Sequence, residues 1–475
     1  MLLFLANFLW FLCCLPDYFL FRVALWFPRA AQRAAARRRT KDFPVLFHQP
    51  TSGSTGGAKD IPYTCAFLRE FRRGLNPWIA GFYIRHPSLL FATHYWSVSP
   101  AVRPVKTGGG GSGGGVDDSE YLGFGQRWLA RRVFAVPASI ATESDPARHA
   151  FRTLLYLLGD HRLGLISVWH PSFLLVLLRT AKEERVRLVE ALTSPLRAAY
   201  VNDALAQGEA GYQKLWPRLR VISCWDQGRA KQDAETLRRL FPNVEVQGKG
   251  LLATEGVVTI PWHGDAKVAA IRSHGLRFVA CETEEILPSW SVKPGDCYEV
   301  QLDAANGQRN YALGDVVRCT GFVGRTPCFD FIARTGVVDL VGEKLSAAHV
   351  ETALSRIETI FGPALFAMLA PNEEANGYLL HIESATDQPT LLDRFAEMLE
   401  AELTSNPYYR HAREAGQLRP LRVNRVTCGA IRWRKLRQAA GQLGGAIKIP
   451  ALWPHAISFD ESSPITSPAS ERRDM

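Results

Sequence analysis

Residues 51–59 read Thr-Ser-Gly-Ser-Thr-Gly-Gly-Ala-Lys, with three glycines, four hydroxyl side chains and a lysine in nine positions. Neither a helix nor a strand interior tolerates such a run, so the neighbouring chain must be built around a loop. Bulky Val45, Leu46 and Phe47 precede it and Ile61-Pro62-Tyr63 follow, which predicts strand, loop, strand. Glycines let backbone N–H groups approach a ligand, hydroxyls donate to an anion, and the lysine adds a point charge. That combination suits a polyphosphate. A flexible Ser/Gly hairpin is the bland alternative, and the lysine between flanking strands favours the phosphate reading. The Walker pattern needs Gly-Lys followed by Ser or Thr. Here Ala58 precedes Lys59 and Asp60 follows it, so that phosphate loop is excluded.

With 475 residues the chain is too long for one simple core, and two domains are expected. Its 47% hydrophobic and 21% charged residues are ordinary for a folded soluble protein. Much of the net charge of +10 lies in Arg29, Arg33, Arg37, Arg38, Arg39 and Lys41. That run reads first as a solvated helix face. Contact with anionic lipid or nucleic acid is the alternative, and the aromatic-interleaved basic pattern of nucleic-acid binders is missing, so no nucleic acid is expected. The nine cysteines show no zinc spacing or disulfide framework, which points to reduced thiols and a cytoplasmic location. Leu2 to Pro16 carries no charge but falls short of the ~20 apolar residues of a spanning helix. Asp17 and Arg22 interrupt its continuation, and no basic region precedes it as in a signal peptide. A buried amphipathic helix is the first reading, and a peripheral membrane contact through this apolar segment the second.

Farther along, Thr64 is a candidate N-cap for a helix through Phe67, Leu68, Phe71 and Leu75. Thr93-His94-Tyr95-Trp96-Ser97 is an aromatic strand end suited to line a pocket. Gly108 to Gly115, broken only by Ser112, reads as a flexible linker. Strands at Leu165–Trp169 and Leu219–Cys224 alternate with helices from Pro171 and Asp233, which argues α/β architecture. After Arg334 the pattern changes to a small α+β unit, with Ser346 capping a helix to about Ile360. The tail from Ile457 is Ser/Pro/charge-rich and is expected to be disordered.

Three further pieces follow the loop in order. Thr254-Glu255 places a hydroxyl and a carboxylate at a strand–turn junction, and a carboxylate beside a polyphosphate is what Mg²⁺ binding needs. Leu313-Gly314-Asp315 puts a lone aspartate, able to accept from both ribose hydroxyls, at a glycine-marked turn. Arg334 ends the large domain, and Lys448 sits much later in Gly444-Gly445-Ala446-Ile447-Lys448-Ile449-Pro450. A Thr-Glu pair is usually surface, a Gly-Asp pair usually a turn, and a C-terminal lysine usually solvated. Their joint order favours function.

The loop resembles the phosphate loop of the adenylate-forming superfamily. Pro50 to Thr64, Ser167-Val168-Trp169-His170-Pro171-Ser172, Leu215-Trp216-Pro217, Asn310 to Arg334, Asn406-Pro407-Tyr408-Tyr409 and Gly444 to Pro450 resemble the Gretchen Hagen family of acyl acid amido synthetases. The resemblance runs from about Val45 to Pro450, but the stretch of some tens of residues usual between first helix and phosphate loop is missing or replaced here. It implies an α/β fold: a large N-terminal adenylate-forming domain over 1–335, with mixed sheets, helices and a β-barrel-like part, and a small C-terminal α+β lid over 336–456. It implies ATP and Mg²⁺ as cofactors, and a carboxylic acid and an amino acid as substrates. Ser52, Gly53, Ser54, Thr55 and Lys59 would hold phosphates, Thr254 the α-phosphate, Glu255 the Mg²⁺, Asp315 the ribose, and Gly228 the adenine. Arg334 would contact the nucleotide, and Lys448 would act in adenylation. A ligase with a thiol acceptor, or a non-catalytic binding protein of the same fold, are the alternatives.

Overall fold

A computed structural model describes residues 1–37, 44–50, 60–97, 124–143, 145–227, 230–334, 337–372, 375–383, 389–439 and 449–459. They fall into two compact units, the first reaching Arg334 and the second resuming at Val337. The glycine run at 108–115 lies outside the described residues.

The larger unit opens with helices α1 (Leu2–Ala24) and α2 (Pro28–Arg37). Sequence reasoning stops the apolar segment at Pro16. The helix instead continues through Asp17, because that carboxylate accepts from Arg272 Nη1 at 3.0 Å and Asn76 Nδ2 at 2.9 Å. Partners so distant in sequence leave no local signal. At 23 residues and mean hydropathy 1.7, α1 is long and apolar enough to cross a membrane by length and composition. Strands β1 (Val45–Pro50) and β2 (Asp60–Thr64) then pair antiparallel. Helix α3 (Cys65–Arg85) follows, and Thr64 caps it as expected, its hydroxyl accepting from Phe67 N at 3.1 Å.

A parallel sheet comes next, ordered β3 (Thr93–Trp96), β4 (Leu163–Ser167), β5 (Val221–Cys224), β6 (Glu245–Gly248). Every residue of β4 and β5 is buried, as in a parallel sheet covered by helices. The expected helix from Pro171 breaks at Glu184 into Pro171–Glu183 and Arg185–Ala191.

A short hairpin, β7 (Leu252–Ala253) and β8 (Gly256–Val257), leads into the β-rich part. That part is a seven-stranded antiparallel sheet. Its strands are β9 (Thr259–Pro261), β10 (Lys267–Ala269), β11 (Gly275–Ala280), β12 (Ile286–Pro288), β13 (Cys297–Asp303), β14 (Tyr311–Val323) and β15 (Thr326–Arg334). They are ordered β12-β11-β13-β14-β15-β10-β9. An apolar core running from Trp10 through Phe67 and Val257 to Phe329 joins this sheet to α1 and α3.

The second unit contains the pair β16 (Val337–Val338) and β17 (Leu345–Ser346), and the sheet β18 (Phe366–Asn372), β19 (Gly377–Glu383), β20 (Arg422–Arg425). Ser346 caps the helix Ala347–Phe361, accepting from His349 N at 3.2 Å. The tail expected to be disordered from Ile457 is packed as far as Phe459, whose ring lies 5.3 Å from Phe366 and 4.9 Å from His381. Residues 460–475 lie outside the described residues.

Candidate active site

The site is built outward from the β1–β2 ladder. Pro50 pairs with Asp60, so the strands bring together the two ends of residues 51–59. Ser52, Gly53, Ser54, Thr55 and Lys59 themselves lie outside the described residues, as do Gly228 and Lys448. In β2, Tyr63 is fully buried, stacked on Phe47 at 4.9 Å and edge-on to Phe67 at 4.8 Å. This packing aims its hydroxyl, which donates to Thr254 O at 2.6 Å. Tyr63 was not singled out from the sequence. Its signal was only its place in an apolar strand.

Thr254 and Glu255 are the two turn residues of the β7–β8 hairpin, with Ala253 paired to Gly256 beneath them. The strand that follows the glycine-rich stretch and the Thr-Glu pair are therefore one hydrogen bond apart. Glu255 is only 5% exposed. No hydrogen bond or ion pair satisfies its carboxylate among the described residues. Buried carboxylates are normally paired or bound to a metal. No group of three or more His, Cys, Asp or Glu side chains able to hold a metal occurs among the described residues. Mg²⁺ suits that arrangement, since it commonly takes one or two carboxylates and completes its shell with substrate phosphates and water. The residues present therefore fit the ion.

Asp315 and Arg334 come together directly. They are register partners across β14 and β15, with Arg334 Nη1 3.6 Å from Asp315 Oδ1. The glycine-marked turn expected at 313–315 is a bulge inside a long strand. Glu299 pairs with Val316 and Gln301 with Ala312, so three residues of β14 face Val300 alone. Gly314 makes this feasible with φ +75°, a region where a side chain is strained. Asp315 is 2% exposed, and Arg334 Nε is buried without a partner among the described residues. An acceptor and a spare donor thus share one end of β15.

The segment leading to Gly228 is fixed to the same strand. Gln227 Nε2 donates to Asp330 Oδ1 at 2.5 Å, Phe331 N donates to Gln227 Oε1 at 3.0 Å, and Trp225 packs on Phe331 at 5.4 Å. This is the carboxyl end of β5, and ligands of open α/β sheets bind at such ends. Asp226 lies there, 3.2 Å from Lys267 Nζ and 3.5 Å from Arg238 Nη2. It rests so close to β6 that a Cβ at Gly248 would fall 2.1 Å from its carboxylate. Beyond β6, Lys249 is 3% exposed with its ammonium 4.5 Å from the Trp169 ring centroid. Lys249 carries no local signal, because a lysine between two glycines reads as solvated.

The strand end proposed to line a pocket is core instead. His94 packs against Trp10 at 6.1 Å and Tyr83 at 5.7 Å, and burial pushes its imidazole down to about 3. Thr93 donates to Asp160 at 2.5 Å.

Comparison with known proteins adds the family. Residues 42–205 match the GH3 family N-terminal domain, 264–334 its central domain, and 348–456 its C-terminal domain, together well over half of the chain. An indole-3-acetic acid-amido synthetase of Arabidopsis thaliana, GH3.3, is 24% identical over 38% of this chain and 32% of its own length. One from Oryza sativa subsp. indica, GH3.8, is 28% identical over 30% of this chain and 25% of its own. The matched part thus spans a third or less of these relatives. The solved structure of the GH3.15 acyl acid amido synthetase superposes with TM-score 0.53 at 16% identity, covering 88% of this chain and 82% of that one, a likeness of fold. Asp315 and Arg334 lie within the matched central domain, while Thr254 and Glu255 fall between the matched segments. The chain belongs to the GH3 family.

Proposed function

We propose that this protein activates a carboxylic acid with ATP and passes the acyl group to the amine of an amino acid. The carboxylate oxygen attacks the α-phosphorus as the bond to pyrophosphate breaks. The amine nitrogen then attacks the acyl carbon, loses a proton, and AMP leaves. Positioning and fixed charge supply most of the catalysis in such a scheme. Ser52, Ser54, Thr55 and Lys59 are assigned to the phosphates, and Gly228 to the adenine. Thr254 and Glu255 sit on one turn, anchored by Tyr63 to the strand that follows the loop. Mg²⁺ held by Glu255 would neutralise phosphate charge. Asp315 accepts from ribose hydroxyls, and Arg334 both orients Asp315 and keeps Nε free for the nucleotide. Lys448 is assigned to charge developing between carboxylate and α-phosphate.

The observation that carries this reading is Glu255, 5% exposed and without an ion pair among the described residues, on a turn that Tyr63 ties to the strand following the glycine-rich stretch. The GH3 relatives and the fold support it. The partners proposed are a carboxylic acid, an amino acid and, peripherally, a membrane contacted through the N-terminal apolar segment. Nine free cysteines support a reducing, cytoplasmic setting. The test is Glu255→Gln in acid-dependent ATP–pyrophosphate exchange. Exchange should fall by about 10²-fold or more while the melting temperature without ligand stays near wild type. Unchanged exchange, or a large loss of melting temperature, would show that Glu255 serves the fold.

A further inference from the structure

Helix α1 has two apolar faces, and only one is used. Ala6, Trp10, Cys14, Tyr18, Phe21 and Ala24 recur every three or four residues and pack inward. Polar side chains lock that face in place. Asn7 donates to Leu90 O at 3.2 Å and Ala92 O at 3.0 Å, and accepts from Tyr83 Oη at 2.8 Å. Asp17 is held by Arg272 and Asn76 as described. After the helix, Leu25 O accepts from Arg325 N at 2.8 Å and Thr326 Oγ1 at 3.0 Å. In α2, Gln32 Nε2 donates to Ile271 O at 2.9 Å. The N-terminal helices are thus an integral part of the larger unit.

The opposite face is open. Leu5, Leu9, Leu12, Phe19, Leu20 and Val23 are all exposed along one side, and Trp26 and Phe27 continue it at 59% exposure each. Exposed apolar patches on a soluble monomer seldom run so long. Two arginines of the basic run read above as a solvated helix face lie beside this stripe. Arg22 borders the apolar stripe at its C-terminal end, and Arg29 and Arg33 are exposed on the adjoining α2. The exposed Arg325, with Phe322 at 42% exposure, lies on the hairpin tip that bonds Leu25. Through residue 37 the chain has one acid, Asp17, and it is neutralised by Arg272.

We propose that this face docks on the surface of an anionic lipid bilayer, with α1 lying in the plane of the interface. The inference rests on the peripheral contact proposed above and assigns its face, orientation and lipid charge. An apolar stripe with aromatics at its end and arginines at its border is the make-up of an interfacial helix. The arginines keep their heads at phosphate level while their stems cover apolar surface. Crossing the membrane would strip Asn7 and Asp17 of their bonds and put both into hydrocarbon, where polar groups need partners.

The test uses the full chain with sedimenting vesicles of phosphatidylcholine alone or mixed with phosphatidylserine. Binding to the mixed vesicles should exceed that to the neutral ones by about tenfold or more and fall steeply with salt. Leu9→Asp with Leu12→Asp should abolish it, and Arg22→Glu with Arg29→Glu should remove the preference for the anionic lipid. Both variants should keep wild-type pyrophosphate exchange and a melting temperature near wild type, since Leu9, Leu12 and Arg22 face outward and Arg29 is exposed, meeting the Trp290 ring at 5.8 Å. Binding to neither vesicle would sink the membrane contact itself. Equal binding to both would leave contact but overturn the lipid charge. Resistance to alkaline carbonate would mark a spanning helix. A dimer split by Leu9→Asp with Leu12→Asp would show a second copy on the face instead.

Discussion

Around the candidate site, Tyr63 and Asp315 carry predictions beyond Glu255. Tyr63 is pinned between Phe47 and Phe67 so that its hydroxyl reaches the carbonyl of Thr254. Tyr63→Phe keeps the ring and removes the bond to the Thr254 carbonyl, at a cost of about 1–3 kcal/mol. The expected outcome is a fall of a few degrees in melting temperature and a raised KM for ATP with little change in KM for the acid; a selective rise in the latter would move the turn away from the nucleotide. Asp315 tests the ribose assignment. If the proposed activity holds, Asp315→Asn should erase the preference for ATP over its 2′,3′-dideoxy analogue, measured as the ratio of exchange rates. Retention of the full preference would separate Asp315 from the ribose. Legibility at this scale follows the chemistry. Glu255, Asp315 and Arg334 carry charge in unusual company and stood out, whereas Tyr63 and Lys249 acquire their character from packing partners that the local sequence does not name.

Among elements, those with local signals were legible. Thr64 and Ser346 cap their helices because their hydroxyls reach N–H groups three residues on, an event contained in the sequence itself. The bulge at Gly314 read as a turn, since a positive φ asks for glycine in both. The true length of α1 was hidden because Pro16 and Asp17 look like a stop, and the groups that satisfy Asp17 arrive from α3 and Arg272. In the smaller unit, Glu343 is fully buried beside Tyr378, accepting from Leu340 N and Val341 N at 2.8 Å each. Burial first, and Asp339 second, push its carboxyl up to about 7. The folded form therefore holds a proton that the unfolded chain releases near pH 4.5. Its stabilisation is complete below that pH and is lost as pH rises through about 7. Hydrogen exchange of amides 340 and 341, corrected for intrinsic rates, should show protection falling between pH 5 and 8. Glu343→Gln should flatten that dependence, and a wild-type slope in the variant would assign the titration elsewhere.

For the whole molecule, the change of pattern after Arg334 coincides with the division into two compact units. If the smaller unit acts as a lid, limited proteolysis near residues 335–345 should differ with and without ATP plus a substrate acid. Identical cleavage in both conditions would count against closure. The proposed two-step ligase chemistry is tested by its two half-reactions. Pyrophosphate exchange is screened over aryl, jasmonate-like and fatty acids, and for each active acid AMP release is followed with amino acids or with thiols as acceptor. At least one acid should support Mg²⁺-dependent exchange, and amino acids, not thiols, should accelerate AMP release. Exchange with none of the acids by folded protein, or AMP release driven only by thiols, would contradict that chemistry.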